Sequence, residues 1–408
     1  MDSLSDKLRA LGVYQGTDHL TLKTKQVNSF PIEKVVQGID HQTIFGTAFV
    51  ISSNYGNDYI HGIQKFDRLP DLKWLAAWSG IDLSDRQRLS KTLFLDTETS
   101  GLAGGTGTFA FLVGLGYFSE QGFTLEQVFL RDPSQETAFL AALAELVNGF
   151  EIIVTFNGKS FDIPLLTSRH VLNRIISPFH MMEHIDMLHL ARVIWKNRLP
   201  KRTLGELESN ILRFSRSGDE IPGWLVPEIY FEYLKTLDAR PLAGVIYHNA
   251  MDIVSLAALF VYTANLLNNP LDIPGNEILD KLAIARLYAN LNNIPEALVL
   301  YENCISQEMP DTYFLKTIDH LAQVFKKLGN WTRAVSLWEK SAEFHQVDAC
   351  IELAKFYEHQ EKDYQRALHW AETGQEYFNK ELMLSYKQET IKSDLVHRIT
   401  RLKRYVNQ

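Results

Sequence analysis

The chain is poor in cysteine, with only Cys304 and Cys350 among its 408 residues. Both lie late in the sequence within helix-like segments, and neither has a partner at the CxxC spacing of redox and zinc motifs. This scarcity excludes a disulfide framework and a cysteine-based zinc site. We therefore expect two buried free thiols in a protein of a reducing compartment.

A targeting or membrane-spanning segment is also missing from the sequence. The first residues, MDSLSDKLRALG, contain no apolar core of signal-peptide length. The longest apolar stretch, 254–267, is interrupted by polar residues and is shorter than the roughly 20 residues that span a bilayer. These absences predict a cytoplasmic protein with no membrane partner.

An excess of positive charge is absent as well, since the net charge is −8. This value excludes a protein coated uniformly with basic residues for nucleic acid, but it permits a local basic groove. The apolar fraction of 46% and the charged fraction of 22% are typical of globular proteins, so disorder is not expected. At this length the chain is expected to form two or three domains.

Patterns along the chain predict three regions. Residues 1–90 contain short strand-like runs between turn residues, which indicates a β-rich N-terminal leader packed on the next domain. Residues 91–270 alternate strand and helix patterns, as is typical of a mixed sheet covered by helices. Residues 276–408 have a helical pattern throughout, and the proline-containing segment 267–275 is the predicted linker.

The helical region contains an internal repeat. Ala297, Ala334 and Ala367 occupy the same point in three similar stretches, at spacings of 37 and 33 residues. Tetratricopeptide repeats recur about every 34 residues as pairs of helices. We therefore expect a tetratricopeptide-like domain that binds a protein partner or packs on the preceding domain.

Four carboxylates stand in three separated motifs. The motifs are LFLDTETSGLAGG (93–105), TFNGKSFDIPLL (155–166) and VIYHNAMDIVSLAAL (245–259). Asp96 and Glu98 are two apart on a predicted strand, so both project to the same side. Asp162 begins a predicted helix after the next buried strand, and Asp252 lies within a long apolar helix. Each alone has an ordinary explanation as a turn former or a helix cap. Gathered together, however, they would repel one another and would need bound cations.

The three motifs together resemble the DEDD superfamily of 3′→5′ exonucleases, and the wider run resembles the bacterial YprB-type ribonuclease-H-like domain. The matching stretches are LDTETSGLAGGTGTFAFLVGLG (95–116), FLRDP (129–133), FNGKSFDIPLL (156–166), DMLHLARVIW (186–195), DEIPGWLVPEIYFEYL (219–234) and DARPLAGVIYHNAMDIVSLAAL (238–259). The resemblance extends over about residues 30–265. It implies an α/β ribonuclease-H-like mixed sheet covered by helices, followed here by the all-α tetratricopeptide-like helical-repeat domain.

The resemblance also implies the chemistry. The implied metal ligands are Asp96, Glu98, Asp162 and Asp252, which would hold two Mg²⁺ or Mn²⁺ ions. Such a pair activates water and neutralises charge on the scissile phosphate. The implied enzyme is a metal-dependent 3′→5′ exonuclease that acts on a single-stranded end of DNA or RNA. A non-catalytic nucleic-acid-binding or protein scaffold that retains the fold is the alternative.

The general base departs from the superfamily pattern. One branch has histidine five positions before the last aspartate, and the other has tyrosine four before it. Here Tyr247 stands five positions before Asp252 and His248 stands four before it, so neither pattern is matched. His248 shares a helical face with Asp252, and imidazole titrates near neutral pH. His248 is therefore the predicted base, with Tyr247 in reserve.

Candidate substrate contacts come from a turn and a basic run. Asn157, in the turn before Asp162, is a candidate substrate-binding residue. Residues 191–216 carry seven basic and two acidic side chains, a local charge of +5, within which Lys201 and Arg202 are predicted to contact phosphates. A solvated helix face together with a salt-bridged loop would explain the same excess. Trp195 and Trp224 could stack on bases, although core packing is the commoner role of tryptophan.

Two further motifs point elsewhere and are disfavoured. GGTGTFA (104–110) matches a loose dinucleotide-binding fingerprint, but a strand pattern follows it where that motif requires a helix. HMMEH (180–184) matches a zinc-protease pattern through His180 and His184. It lies in a predicted short strand that leads to Asp186, the predicted cap of the next helix, whereas zinc binding would require a helix.

Overall fold

The structure is a computed structural model. It describes residues 29–66, 70–83, 90–101, 107–216, 221–272, 278–380 and 386–407. The predictions for residues 1–28 and for Gly104 and Gly105 lie outside these residues.

A seven-stranded mixed sheet forms the centre of the first part of the molecule. Its strands are β1 (Ile39–Thr43), β2 (Gly46–Tyr55), β5 (Thr92–Thr99), β6 (Ala110–Ser119), β7 (Gly122–Phe129), β8 (Ile152–Thr155) and β9 (Glu183–Asp186), in the order β1-β2-β7-β6-β5-β8-β9. A small hairpin, β3 (Ile60–His61) with β4 (Gln64–Lys65), lies apart from this sheet. Strand β8 pairs in parallel with β5 and β9, and the other pairs are antiparallel.

The predicted leader does more than pack on the next domain. Its strands β1 and β2 form one edge of the main sheet, because β2 pairs along its length with β7 from Phe49 opposite Phe129 to Tyr55 opposite Phe123. The boundary at residue 90 therefore falls within the part of the chain that builds this sheet. The predicted domain limits stay a prediction.

Seven α-helices accompany the sheet in the described residues up to 272. They are α1 (Lys73–Ser79), α2 (Glu136–Leu146), α3 (Asp162–Leu172), α4 (Met187–Ile194), α5 (Leu204–Asn210), α6 (Val226–Thr236) and α7 (Leu242–Asn268). Apolar side chains fill two core clusters, one of which continues into the helical part of the chain.

Helix α7 crosses the sheet at two glycines of β6. A Cβ atom at Gly114 would lie 2.5 Å from Oδ1 of Asn249, and one at Gly116 would lie 2.5 Å from Cγ2 of Ile253. Larger residues at these positions would push the helix away from the sheet. The two glycines therefore let α7 bring its side chains close to β5 and β6.

Helix α7 has 27 residues and is long and apolar enough to cross a membrane by length and composition. It exceeds the stretch 254–267 that the sequence argument considered too short. However, 89% of its most apolar window is buried within the fold, as expected for the core helix of a globular protein.

The described residues after 277 form helices. They are α8 (Ile278–Asn290), α9 (Ile294–Ile305), α10 (Asp311–Lys327), α11 (Trp331–Glu343), α12 (Val347–Phe356), α13 (Tyr364–Lys380) and α14 (Tyr386–Val406), with a π-helical turn at Tyr357–Glu361. Ala297, Ala334 and Ala367 are fully buried where neighbouring helices pack, and Cys304 and Cys350 are buried free thiols as expected. The classification as tetratricopeptide repeats stays a prediction.

The helical region packs directly on the first part. Arg198 donates a hydrogen bond to Asp280 at 2.7 Å, and both side chains are largely buried. The ring of Tyr288 stacks on Trp74 with centroids 4.0 Å apart, and its hydroxyl donates to the carbonyl of Leu267. These contacts hold α8 against α1, α7 and the segment after α4.

Candidate metal centre

The structure brings the four predicted carboxylates together from three elements. Asp96 and Glu98 project from the carboxyl end of β5, Asp162 is the first residue of α3, and Asp252 lies in the first half of α7. All four are close enough that Asp252, Asp162 and Glu98 each raise the pKa of Asp96 by repulsion. The predicted cluster therefore exists as an arrangement in space, while the roles of its members stay predictions.

Two amides that the sequence analysis missed hold Asp96 in place. Asn249 donates from Nδ2 to Oδ2 of Asp96 at 3.0 Å. Gln127 donates from Nε2 to Oδ1 of Asn249 and to the carbonyl of Ile246, both at 2.9 Å. Because Gln127 fixes the orientation of the Asn249 amide, the Nδ2 group points at the carboxylate. The sequence held only a weak indication of this role for Asn249, which precedes Asp252 by three residues and so shares its helix face.

Asp162 accepts a hydrogen bond from β5, the strand that carries Asp96 and Glu98. Thr97, between Asp96 and Glu98 on β5, donates its hydroxyl to Oδ1 of Asp162 at 2.5 Å. The helix begins at Asp162 itself, and Phe161 at the preceding cap position makes no capping hydrogen bond through its side chain. Asp162 is thus a first-turn residue rather than the helix cap considered as its ordinary explanation.

Arg216 reaches into the carboxylate cluster. Its guanidinium donates to Asp252 and binds Glu208 through Nε at 3.0 and 2.9 Å, and its side chain is only 6% exposed. The sequence analysis counted Arg216 in a basic patch that could follow a phosphate backbone. That assignment is wrong for Arg216, because buried carboxylates already bind it. It is also wrong for Arg198, which is paired with Asp280.

The contacts of His248 indicate the tautomer of its neutral ring. Nε2 of His248 lies 3.3 Å from Oδ2 of Asp252, one helical turn away as predicted. Nδ1 lies 3.3 Å from Nη1 of Arg216. Because a guanidinium can only donate, Nδ1 must be the acceptor, which places the proton of a neutral ring on Nε2, facing Asp252. In this arrangement the lone pair of His248 is directed at Arg216.

Within the described part of the chain, Glu98, His248 and Asp252 have ligand atoms within 4.8 Å of one another and could hold a metal ion. This trio includes His248 and omits Asp96 and Asp162. The arginine contact argues against coordination by His248, because an Nε2 that carries the proton cannot bind a metal. The four carboxylates offer the hard oxygen ligands that Mg²⁺ and Mn²⁺ prefer, so the donor set fits these ions.

Burial and mutual repulsion control the ionisation of the cluster. Burial raises the pKa of Asp96 and of Glu98 well above their usual values, and repulsion from neighbouring carboxylates adds to both rises. Burial also raises the pKa of Asp162 to about 6, against the opposing effect of the Thr97 hydrogen bond. For Asp252, burial raises the pKa while Arg216 and His248 oppose the rise. Burial is the largest cause of each rise, and a bound cation would oppose all four.

A buried hydrogen-bond network continues from Arg216 toward the N-terminal hairpin. Ser255 donates to Oε1 of Glu208 at 2.9 Å, and Nε2 of His61 lies 2.8 Å from the Ser255 hydroxyl oxygen. The His61 ring stacks on Phe214 with centroids 4.0 Å apart. Burial acts to raise the pKa of Glu208, but hydrogen bonds from His61, Arg216 and Ser255 lower it overall. Glu208 is therefore a fixed anion that anchors Arg216.

The turn beside Asp162 is held by Asp186. The backbone N–H of Asn157, a residue with φ of 70°, donates to Oδ1 of Asp186 at 2.8 Å, and Lys159 donates its N–H to Oδ2 at 3.2 Å. Asp186 also accepts from the N–H of Leu188 at 3.1 Å, which confirms its predicted cap. Asn157 thus lies next to the first residue of α3, and its role as a substrate contact stays a prediction.

The remaining candidates lie in different environments. Lys201 is exposed, whereas Arg202 donates to the carbonyls of Leu199 and Pro200 at 3.0 and 2.9 Å, which restrains its guanidinium. Trp195 is fully buried, so it packs in the core and cannot stack on a base. Trp224 is exposed, and Tyr247 is 38% exposed.

The zinc-protease motif lacks the helix that it requires. His180 lies in a short 3-10 helix, Pro178–Met181, and its Nδ1 lies 2.6 Å from the carbonyl of Ser177. His184 lies in β9, with Nε2 2.8 Å from the Thr155 hydroxyl oxygen. The two rings therefore belong to different elements and have partners of their own, which argues against the zinc-hydrolase hypothesis.

Comparison with known proteins places this geometry in context. Residues 93–264 match the model of the RNase_H superfamily. The chain is 33% identical over 326 residues to the uncharacterized protein YprB of Bacillus subtilis (strain 168), across 78% of each chain. A family B DNA polymerase from the archaeon Pyrobaculum calidifontis is similar in structure with a TM-score of 0.34 and 16% identity, over 56% of this chain and 29% of the polymerase.

Proposed function

The chain belongs to the ribonuclease H superfamily, in one family with YprB, and we propose that it is a divalent-metal-dependent nuclease. The proposed reaction is hydrolysis of phosphodiester bonds in DNA or RNA. We further propose a 3′→5′ exonuclease that uses two Mg²⁺ or Mn²⁺ ions and acts on a single-stranded end. The fold of the superfamily supports nuclease chemistry in general, and the finer assignment rests on the carboxylate cluster.

The observation that carries the proposal is the convergence of Asp96, Glu98, Asp162 and Asp252 with pKa values raised above their usual range. Holding acids together in a buried position costs free energy that a structural role would not require. Bound divalent cations would remove that cost. The same cations would act on a phosphodiester, which is itself anionic and would be repelled by the carboxylates alone.

We assign each residue of the candidate site a role from its contacts. The four carboxylates would hold the ions, and Asn249 and Gln127 keep the Asp96 oxygens oriented toward them. When bound, the ions would supply an activated water and charge neutralisation at the attacking and leaving oxygens. Arg216 neutralises part of the charge of Asp252 and fixes its carboxylate beside His248.

General-base catalysis by His248 requires a local rearrangement. The ring can accept a proton from water only if its lone pair leaves Arg216, since that lone pair now accepts from Nη1. Rotation of the Arg216 guanidinium away from His248, with Glu208 and Asp252 still bound to it, would release the lone pair. Tyr247, which is partly exposed, stays the reserve candidate for orienting the water. A protein partner for the tetratricopeptide-like region is a further part of the proposal.

The test uses end-labelled DNA and RNA strands incubated with Mn²⁺. We expect Asp96→Asn and Asp252→Asn to lower hydrolysis by at least about 100-fold, the scale of losing a key electrostatic group. Glu151→Gln is the control, because Glu151 pairs with exposed Lys91 away from the carboxylate cluster. Hydrolysis by Asp96→Asn at the rate of the unaltered protein would refute the proposal. Calorimetric titration with Mn²⁺ separates an enzyme from a scaffold, which would show no tight binding of two ions.

A further inference from the structure

A cleft of about 640 Å³ opens beside the segment that follows β5. Gly101 forms one wall, and the other is formed by Trp224, just before α6, and by residues along α6, including Phe231. These two aromatic side chains are 67% and 41% exposed. Large aromatic side chains with this much exposure, in a concave surface, indicate a binding site rather than a core.

The aromatic residues lie along one side of α6. Trp224, Glu228, Phe231 and Lys235 follow one another at spacings of three and four residues, which places them on one helical stripe. The opposite stripe packs inward through buried residues such as Tyr230, whose ring stacks on Phe111 with centroids 4.0 Å apart. Packing of that inner stripe holds the outer stripe in position and leaves it available to a ligand.

The cleft lies within reach of the carboxylates. Gly101 is three residues beyond Glu98, so the two are at most about 11 Å apart along an extended chain. The Phe109 ring lies 6.2 Å from that of Tyr230, and Ser100 and Phe109 are joined by backbone and hydroxyl hydrogen bonds. Ser100 and Phe109 are therefore held near Tyr230 of α6. A nucleotide with its phosphate at the carboxylates would have a neighbouring base at the cleft.

The charges of the cleft favour a base over a phosphate. Glu228 and Glu232 contribute two negative charges and Lys235 one positive charge, a net charge of −1. Lys235 lies 3.7 Å from Glu232, so part of its charge is already balanced. An acidic cleft repels phosphate, whereas carboxylates accept hydrogen bonds from the exocyclic amine of a base. Exposed aromatic rings add stacking that is independent of sequence.

We propose that this cleft is a nucleobase subsite that prefers bases with an exocyclic amine over uracil and thymine. Trp224 and Phe231 stack on the base, and Glu228 and Glu232 accept from its amine. The inference rests on the proposed function, since it takes the phosphate of the same strand to lie at the carboxylates. It adds a base preference that the metal centre alone would not produce.

Binding of labelled oligonucleotides tests the proposal directly. The probes are dC12 and dU12, measured by fluorescence anisotropy in Ca²⁺, because cytosine and uracil differ chiefly in having an amine or a carbonyl at position 4. We expect dC12 to bind about fivefold more tightly than dU12, the low end of discrimination by a base contact. Glu228→Gln with Glu232→Gln should abolish this preference, because a glutamine amide can donate as well as accept.

The stacking contribution is tested separately. Trp224→Ala should weaken binding of both probes about tenfold, within the range for loss of one aromatic platform, while Trp224→Phe should retain most of it. Phe45→Ala is the matched control, because Phe45 is an exposed aromatic residue at the turn between β1 and β2. Trp224 is largely exposed, so its replacement leaves the core intact, and an unchanged thermal midpoint checks this.

The outcomes separate the subsite from the nuclease proposal. Equal affinity for dC12 and dU12, or binding unaffected by Trp224→Ala, would overturn the subsite even if Mn²⁺-dependent hydrolysis were observed. A cytosine preference that depends on the two glutamates would support the subsite even if no strand were hydrolysed, and the nuclease proposal would then fail alone.

Discussion

Two regions of this molecule bury acidic side chains and neutralise them in different ways. In the helical region, the buried carboxylate of Glu358 accepts from Arg398 and from Arg401, so one negative charge faces two positive ones. In the candidate metal centre four carboxylates converge, and Arg216, whose guanidinium binds Asp252, is shared with Glu208. The negative charge of the first group is fully compensated within the protein, whereas the second group has an excess of negative charge.

The difference indicates what each group is for. A balanced buried ion pair fixes helices against each other, because separating its members would expose uncompensated charge. An unbalanced group is costly in the free protein and becomes favourable when cations bind. Burial of acidic residues is therefore not by itself a sign of function. The ratio of acidic to basic groups around them distinguishes a structural cluster from a site for cations.

The largest effect we expect is a pair of opposite changes in the metal-free protein. Glu358→Gln should lower the free energy of unfolding by about 2 to 3 kcal/mol, since it leaves two arginines without their carboxylate and Arg401 is partly exposed. Asp96→Asn should raise the thermal midpoint by about 2–4 °C, because it removes one of four repelling charges. Thermal unfolding in EDTA measures both. If the two variants changed stability in the same direction, the distinction between the two buried acidic groups would be wrong.

The hydrolysis rates of the same two variants should not follow their stabilities. We expect Asp96→Asn to lose hydrolysis although it is more stable. We expect Glu358→Gln to keep its rate per folded molecule although it is less stable.

The second expected effect concerns Arg216. Arg216→Gln should destabilise the metal-free protein by about 2 kcal/mol, because it leaves Glu208 and Asp252 without their shared partner. It should also enlarge the rise in thermal midpoint that Mn²⁺ produces, since one positive charge no longer opposes the ion. Arg198→Gln breaks a comparable buried pair with Asp280 outside the metal centre. If Mn²⁺ raised the thermal midpoint further in both variants, or in neither, Arg216 would not be the group that opposes ion binding at the carboxylates.

The smallest expected effect is a difference in pH dependence between the regions. Burial raises the pKa of Asp162 to about 6, so the folded state holds its proton more tightly than the unfolded state. Its contribution therefore lowers stability as the pH rises from about 4 to 6. Burial acts to raise the pKa of Glu352, but hydrogen bonds from Lys326 and Lys355 lower it overall. Its contribution is lost as the pH falls.

Variants separate the two contributions to this pH dependence. Thermal midpoints in EDTA, measured for Asp162→Asn and Glu352→Gln against the unaltered protein, should show each slope become shallower in its own variant, because Asp96 and Glu98 also have raised pKa values. A slope that persists in Asp162→Asn at the same strength would assign it to other acids of the cluster.

The sequence predicted the parts of the site that follow from local geometry. The same-side projection of Asp96 and Glu98 follows from strand alternation, and the one-turn separation of His248 and Asp252 follows from helical spacing. The ribonuclease-H-like fold class is confirmed. Helix α7, Leu242–Asn268, contains Asp252 as the predicted long apolar helix required.

The parts that could not be predicted depend on contacts between distant residues. Gln127 reaches Asn249 across 122 positions and Arg216 reaches Asp252 across 36, and neither has a local pattern that specifies its partner. Arg216 looked like one of several basic residues in a solvated run. Its burial depends on Glu208 of α5 and on α7 meeting at the same place, which is a property of the assembled fold.

The apolar character of α7 has a consequence for synthesis on the ribosome. The sheet strands precede the helix in the chain, so the surface provided by Gly114 and Gly116 has been made before the helix emerges. The C-terminal end of α7 is covered later than the rest of the helix, because Tyr288 of α8 binds the carbonyl of Leu267. A nascent chain halted between α7 and α8 would present that apolar end to chaperones and proteases. Continued translation into α8 thus completes the protection of the helix that carries Asp252.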